Sequence, residues 1–300
     1  MRVIILGLTE KGLKWQHITK DECVAVLDAI DPAANFQNIH ELAVSSYDAV
    51  IICANDEPKY NLIRYALANK KHVLVERPLM CLDQEQIDEL EHLARVNNVV
   101  CYMSSSFRFE PHFIRMKRLL DSKTLGEIYH CSLFISDNTA RVVFTDLGAN
   151  LLDLLYFWFG SKIKASNFSI VTKRTLKEST PDHVIFADFS SKLTIKVEMT
   201  SLPYKTDFSC DLMAKYGSVH IKSLCKWGGS SYLSFQQDLD TDSIIEENES
   251  IVQNNDPTLE QEYLHFKQLC ADPDAITDLH SEHWIDTEIM RLSDEELLIA

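Results

Sequence analysis

Five short, continuously apolar runs recur through the first hundred residues: Val3–Leu6, Cys23–Leu27, Val50–Cys53, His72–Val75 and Val99–Met103. Between them lie segments with helical spacing. Leu13–Thr19 is brief, Tyr60–Ala68 repeats Leu62, Ile63, Tyr65 and Ala66, and Gln84–Asn97 puts Ile87, Leu90, Leu93 and Ala94 on one face. A strand that is apolar at every position has both faces covered. Strands alternating with helices make βαβ units around a parallel sheet. The expectation is a Rossmann-like α/β domain, whose ligands bind at the carboxyl ends of the strands.

Beyond about residue 122 the pattern changes. Glu127–Ile135 reads as a long strand and Asn150–Phe159 as an apolar helix closed by Gly160. Strand-like runs then follow one another: Phe168–Thr172, His183–Phe189, Leu193–Met199, Phe208–Ala214, Ser218–Lys222 and Tyr232–Gln236. Consecutive strands imply an antiparallel-rich sheet. The polar stretch Asp238–Asp256 reads as a surface loop or hairpin, and Thr258–Cys270 and Ser281–Leu292 as helices, the first opened by Asp256-Pro257. The chain of 300 residues therefore divides into residues 1–122, a dinucleotide-binding type of domain, and 123–300, an α+β domain with a large open sheet.

Composition narrows the partners. A net charge of −16 repels phosphate backbones and speaks against nucleic acid. The longest apolar stretch, Leu151–Phe159, is interrupted by Asp153 and falls far short of the ~20 residues of a membrane span. The first residues run straight into Gly7 and read as a buried strand rather than a secretory signal. No two of the eight cysteines form a CxxC pair, so no metal site is expected. Their place in apolar runs points to reduced thiols and the cytoplasm.

The first strand leads into Gly7-Leu8-Thr9-Glu10-Lys11-Gly12. In a G-x-G-x-x-G turn the first glycine makes the turn, the second lets backbone approach a pyrophosphate and the third lets helix and strand pack closely. Gly7 and Gly12 hold the outer places and Thr9 the central one. Asp28 ends the second strand 21 residues after Gly7, where a carboxylate accepts hydrogen bonds from an adenosine ribose and repels a 2′-phosphate. NAD is therefore expected over NADP. Asn55 follows the third strand at its carboxyl end.

The segment Ala66–Leu79, with His72-Val73-Leu74-Val75-Glu76-Arg77-Pro78, resembles the helix and E-K-P strand of the Gfo/Idh/MocA family of nicotinamide-dependent sugar oxidoreductases. Ser106–Pro111 is similar to that family's R-x-x-P turn, Leu125–Ile128 to the G-x-I opening of its large sheet, and Asp146–Asp153 to its D-x-G-x-H-x-x-D segment. The resemblance implies a Rossmann-like domain followed by a substrate domain whose open sheet serves homo-oligomerisation. It implies reversible hydride transfer between NAD(P) and a hydroxyl carbon of a sugar, nucleotide sugar or cyclitol, and Pro181–Trp227 resembles the nucleotide-sugar members of the family. Gly7, Thr9, Gly12, Asp28, Asn55 and Glu76 would hold the cofactor, and Arg108 and Asp146 the substrate.

The chain departs from the family at its chemistry. Arg77 replaces the E-K-P lysine and Asn150 the motif histidine. Arginine stays protonated and asparagine relays no proton. Arg77 would then stabilise charge, Asn150 orient the substrate and Asp153 serve as the surviving base. The stretch between Phe134 and Asp146 is also short. A catalytically silent relative that binds nucleotide or sugar, or assembles with a partner, is the alternative these departures raise.

Overall fold

The computed structural model describes residues 1–53, 59–79, 82–137, 145, 147–175, 182–202, 205–252, 256–275 and 277–294. They form two compact units. Unit 1 comprises Met1–Ser106 and Leu259–Asp286; unit 2 comprises Phe107–Thr258 and Thr287–Ala300.

In unit 1, β1 (Val3–Leu6), β2 (Cys23–Leu27), β3 (Ala49–Ile52), β4 (His72–Val75) and β5 (Cys101–Met103) make one sheet in the order β2-β1-β3-β4-β5. Every pairing is parallel. The crossover helices are α1 (Glu10–Thr19), α2 (Lys59–Ala68) and α3 (Gln84–Asn97). Side chains alternate across a strand, so the apolar runs feed two separate cores. Ile4, Val50, Ile52 and Val73 pack with Ile63 and Leu67 of α2 and Ile87 and Leu90 of α3. Val3, Ile5, Ile51 and Leu74 pack on the other side with Trp15 of α1 and with Tyr263 and Phe266. Those last two belong to α7 (Thr258–Ala271).

That second core explains why Leu259–Asp286 falls with the parallel sheet in unit 1. One short helix, α1, cannot cover a five-stranded face, and the chain returns after its second sheet to finish the job. Helix α7 is fastened there by Glu262, which is fully buried. Its carboxyl group accepts from the Ser105 N–H at 2.5 Å, the Ser104 hydroxyl at 3.2 Å and the Tyr102 hydroxyl at 3.3 Å. Burial, and Glu76 nearby, push this carboxyl group up to about 8.

In unit 2, α4 (Pro111–Ser122) precedes β6 (Ile128–Ser136), α5 (Gly148–Phe159) and α6 (Ser161–Lys164). Seven strands follow: β7 (Ser169–Arg174), β8 (His183–Asp188), β9 (Thr194–Thr200), β10 (Asp207–Ala214), β11 (Gly217–Lys222), β12 (Ser230–Gln237) and β13 (Ile244–Ile251). The eight strands run β13-β12-β11-β10-β6-β9-β8-β7, antiparallel except for β6 against β9. The expected loop or hairpin after residue 238 is a hairpin, β13 pairing with β12 over its length. One face buries Cys131, Leu133, Phe186, Val197, Phe208 and Leu212. Phe113 of α4 meets Phe208 with ring centroids 5.1 Å apart and Trp158 of α5 at 5.4 Å. The last helix, α8 (Leu279–Asp294), contains the second boundary between the units. Among the described residues no helix is long and apolar enough to cross a membrane.

Two outcomes follow from these contacts. A Cβ at Gly12 would stand 2.0 Å from the Gly7 carbonyl oxygen, so Gly12→Ala forces α1 off β1. Denaturant unfolding is expected to show unit 1 weakened by about 1–3 kcal/mol, and an unchanged midpoint would contradict the packing. For Glu262 the folded pKa lies above the ~4.3 of an unfolded chain. The native state therefore binds the extra proton between those values, and stability falls as pH rises toward about 8. In unfolding curves at pH 5 and pH 8, wild type is expected to lose more stability than Glu262→Gln; parallel losses would show that Glu262 does not titrate this way.

Candidate functional site

A chain leaving β1 for α1 has to reverse within a few residues at the carboxyl edge of the sheet. Gly7 does this at φ +100°, a backbone region L side chains avoid. Its N–H donates to the Leu27 carbonyl at 2.8 Å, tying the turn to β2. Thr9, in the place of the central glycine, is the N-cap of α1, and its Oγ1 accepts from the Gly12 N–H at 3.1 Å. The outer glycines thus do steric work and the substituted one caps the helix.

Asp28 stands at the end of β2, half-buried. One carboxylate oxygen accepts from the Leu8 N–H at 2.7 Å, the other from the N–H groups of Ile30 and Asp31, both at 3.0 Å. These bonds, led by that of Asp31, hold the carboxyl group below its usual range, so it is an anion at neutral pH. A cavity of about 270 Å³ opens beside it, lined among others by Gly7, Thr9, Asp28, Ile30, Ile39 and Tyr65. Its apolar walls suit a flat base and its carboxylate a ribose diol. With the turn at Gly7 lining that cavity, the residues present fit the adenosine half of a dinucleotide.

The third feature is the loop after β4. Glu76 is buried, and its carboxylate accepts from Trp15 Nε1 at 2.7 Å and from Lys11 Nζ at 2.8 Å. Arg77 is buried as well. Its guanidinium pairs with Glu282 and, at 3.5 Å, with Asp286, both on α8, and donates to Ser105 Oγ at 3.4 Å. The other oxygen of Asp286 accepts the Leu79 N–H at 2.7 Å. Burial pushes the Asp286 carboxyl group up, and Arg77 opposes that shift. From the opposite side, Lys59 Nζ donates to the carbonyls of Glu76 at 2.8 Å and Pro78 at 3.1 Å. The Arg77–Pro78 peptide bond is cis.

Unit 2 carries the remaining expected residues. Asp153 on α5 is 1% exposed. Its two oxygens accept from Arg108, Nε at 2.9 Å and a terminal nitrogen at 2.5 Å, a bidentate pair that fixes both side chains. Asn150 lies three residues earlier on the same helix face, half-buried. Asn55 and Asp146 lie outside the described residues.

The structure thus brings Gly7, Thr9, Gly12 and Asp28 together at one edge, and Arg108 with Asp153 in the other unit. It gives Arg77 two acidic partners on α8. Lys59, Glu262, Glu282 and Asp286 escaped the sequence reading. A signal existed for three of them. Glu262 falls at helical spacing with Leu259 and Phe266, and Asp286 with Ile289, so each sits on an apolar face, while Lys59 starts a helix, where a cation opposes the dipole. Among the described residues no group of three or more metal-ligating side chains forms.

Residues 11–105 match the Gfo/Idh/MocA family, described as an oxidoreductase family with an NAD-binding Rossmann fold. An uncharacterized oxidoreductase of Synechocystis is 34% identical over 99 residues, 33% of this chain and 26% of that protein. The scyllo-inositol 2-dehydrogenase (NAD(+)) of Bacillus subtilis is 24% identical over 191 residues, 59% of this chain and 56% of the relative. The chain thus spans about half or less of the length of these curated relatives. The crystal structure of UDP-N-acetylglucosamine 3-dehydrogenase from Acidithiobacillus ferrooxidans superposes with a TM-score of 0.77 at 14% identity, covering 98% of this chain and 96% of that one, and shares the fold. Over α1 to β5, the stretch that the family model matches, this chain is similar to the Gfo/Idh/MocA oxidoreductase family.

Proposed function

We propose that the chain binds NAD along the carboxyl edge of β1–β4 and transfers hydride reversibly between the dinucleotide and a hydroxyl carbon of a sugar, nucleotide sugar or cyclitol. The observation that carries this reading is the Asp28 carboxylate beside a cavity at the glycine turn. Gly7, Thr9 and Gly12 shape the turn that receives the pyrophosphate, and Asp28 accepts from the ribose. Glu76 and Asn55 complete the cofactor set, and Glu76 orders Trp15 and Lys11 around it. The anionic Asp28 favours NAD, because a 2′-phosphate there meets like charge. The bound dinucleotide supplies the hydride acceptor. Arg108, Asn150 and Asp146 are the residues that the family resemblance implies for substrate hydroxyls, and within unit 2 Asp153 holds the Arg108 fork in a fixed orientation.

A second reading has its own support. Arg77 and Asp153, the charged groups expected to face substrate, are both engaged in ion pairs. A silent relative that binds dinucleotide without turnover would keep the turn and Asp28 and could spend both groups on structure.

A further proposal concerns self-association. The open face of the eight-stranded sheet carries Phe134, Ile185, Met213, Leu233 and Phe235 among polar residues, each partly or fully exposed. Eight strands at ~4.8 Å span ~38 Å, and with strand lengths of ~20 Å the face offers ~800 Å², what one partner gives a standard interface. We take its occupant to be a second copy of this chain.

Fluorescence titration with NADH tests the first reading. Saturable binding, weaker for NADPH, is expected, and Asp28→Asn should narrow that preference about tenfold. A flat titration at millimolar NADH would end the dinucleotide reading. Turnover on scyllo-inositol, UDP-N-acetylglucosamine and related sugars separates enzyme from silent relative. For the sheet face, sedimentation should give a dimer or larger for wild type and a monomer for Met213→Glu; a monomeric wild type would refute it.

A further inference from the structure

Oxidising an alcohol requires a group that takes the hydroxyl proton as the hydride leaves. The family resemblance attaches that role to a lysine at position 77, and this chain has there an arginine, which stays protonated and is paired with Glu282 and Asp286. A lysine is nevertheless present at the same loop. Lys59 opens α2, yet it is 9% exposed and its side chain turns onto the carboxyl end of β4. Its nitrogen donates to the carbonyls of Glu76 and Pro78, the two residues that flank Arg77.

The surroundings of that nitrogen suit an amine as well as an ammonium. A neutral amine has two N–H bonds and one lone pair. Two carbonyl acceptors match the two donors and leave the lone pair over. Among the described residues no carboxylate lies within ion-pair distance of Lys59. Burial is the largest influence and disfavours its charge; Lys11 of α1 adds to that, as does the positive end of α2. Glu76 after β4, Asp286 of α8 and the Cys53 thiol after β3 oppose it, and the balance lies below the usual lysine range.

We propose that Lys59 is the proton-exchanging group of this chain's redox reaction. In the oxidative direction the substrate O–H bond breaks and its proton goes to the lone pair of Lys59 Nζ. The adjoining C–H bond breaks with its electron pair, which leaves as hydride to the nicotinamide dinucleotide acting as oxidant, and the carbonyl double bond forms. The alcohol is oxidised, the dinucleotide is reduced and the proton is held as ammonium. In the reductive direction the ammonium returns it to the carbonyl oxygen. The hydroxyl carbon has to abut the nicotinamide, and in sheets of this kind ligands lie beyond the strand carboxyl ends, which is where Lys59 stands.

This inference rests on the nicotinamide reading above, and two measurements keep their failures apart. In the full chain, with lysine labelled by carbon-13 and the Lys59 signal assigned through Lys59→Arg, an NMR titration is expected to place Lys59 below the surface lysines. A signal that titrates with them or above them overturns the proposal without touching NADH binding. Lys59→Met should still bind NADH by fluorescence while turnover falls about 10²–10⁴-fold, with partial rescue by added methylamine. NADH binding with turnover within twofold of wild type overturns it, whereas a wild type that binds no NADH removes the nicotinamide reading itself. Should the variants not fold, the wild-type titration decides alone, using an assignment by selective labelling.

Discussion

A buried charge cluster around residues 76–79 holds unit 1 together at the edge where its chemistry would occur. Arg77 pairs with the Glu282 and Asp286 carboxylates, Lys11 pairs with Glu76, and Lys59 donates to the backbone carbonyls of Glu76 and Pro78. Arg77 buried alone would cost several kcal/mol, and removing it would strand Asp286. The cluster joins α1 through Lys11 and Trp15, α2 through Lys59, β5 through Ser105 and α8 through Glu282 and Asp286. Four separate stretches of chain are thereby fixed relative to one loop.

The same logic governs the second face of the parallel sheet. Apolar strands demand cover on both sides, and the cover on one side comes from the end of the chain. Helix α7 brings Tyr263 and Phe266 to the Trp15 core, and with them an acid, Glu262, that accepts three hydrogen bonds and, among the described residues, pairs with no cation. Its carboxyl group keeps its proton because the low-dielectric interior and Glu76 penalise the charge more than three donors reward it. Unit 1 therefore contains one acid group kept neutral and, within the same set of elements, a lysine whose charge is disfavoured.

Position 77 is where the chain departs from the lysine that the family resemblance implies. A lysine there would be a compact, titratable donor; the arginine is a planar fork that spans two carboxylates and a hydroxyl. The fork becomes a tie between the β4 loop and α8, and Lys59 approaches the loop from the other side. On unit 2 the pairing of Arg108 with Asp153 is of the same kind, a bidentate contact that gives direction to two side chains at once.

Much of this was legible in the residues. Apolar runs with no alternation dictated the parallel sheet, because only a doubly covered strand is apolar at every position. The spacing of Gly7, Gly12 and Asp28 anticipated a turn and a carboxylate at one sheet edge, since it is set by local turn geometry and strand length. Alternating runs after residue 160 marked the antiparallel sheet. Tertiary structure alone decided which charges meet. The acidic partners of Arg77 lie more than 200 positions away in sequence, α7 and the first half of α8 join the first unit from beyond the second sheet, and the burial of Lys59 depends on which way a helix start faces. Contacts of that kind follow from how elements pack, and a linear pattern encodes the face an element buries but not the neighbour it buries it against.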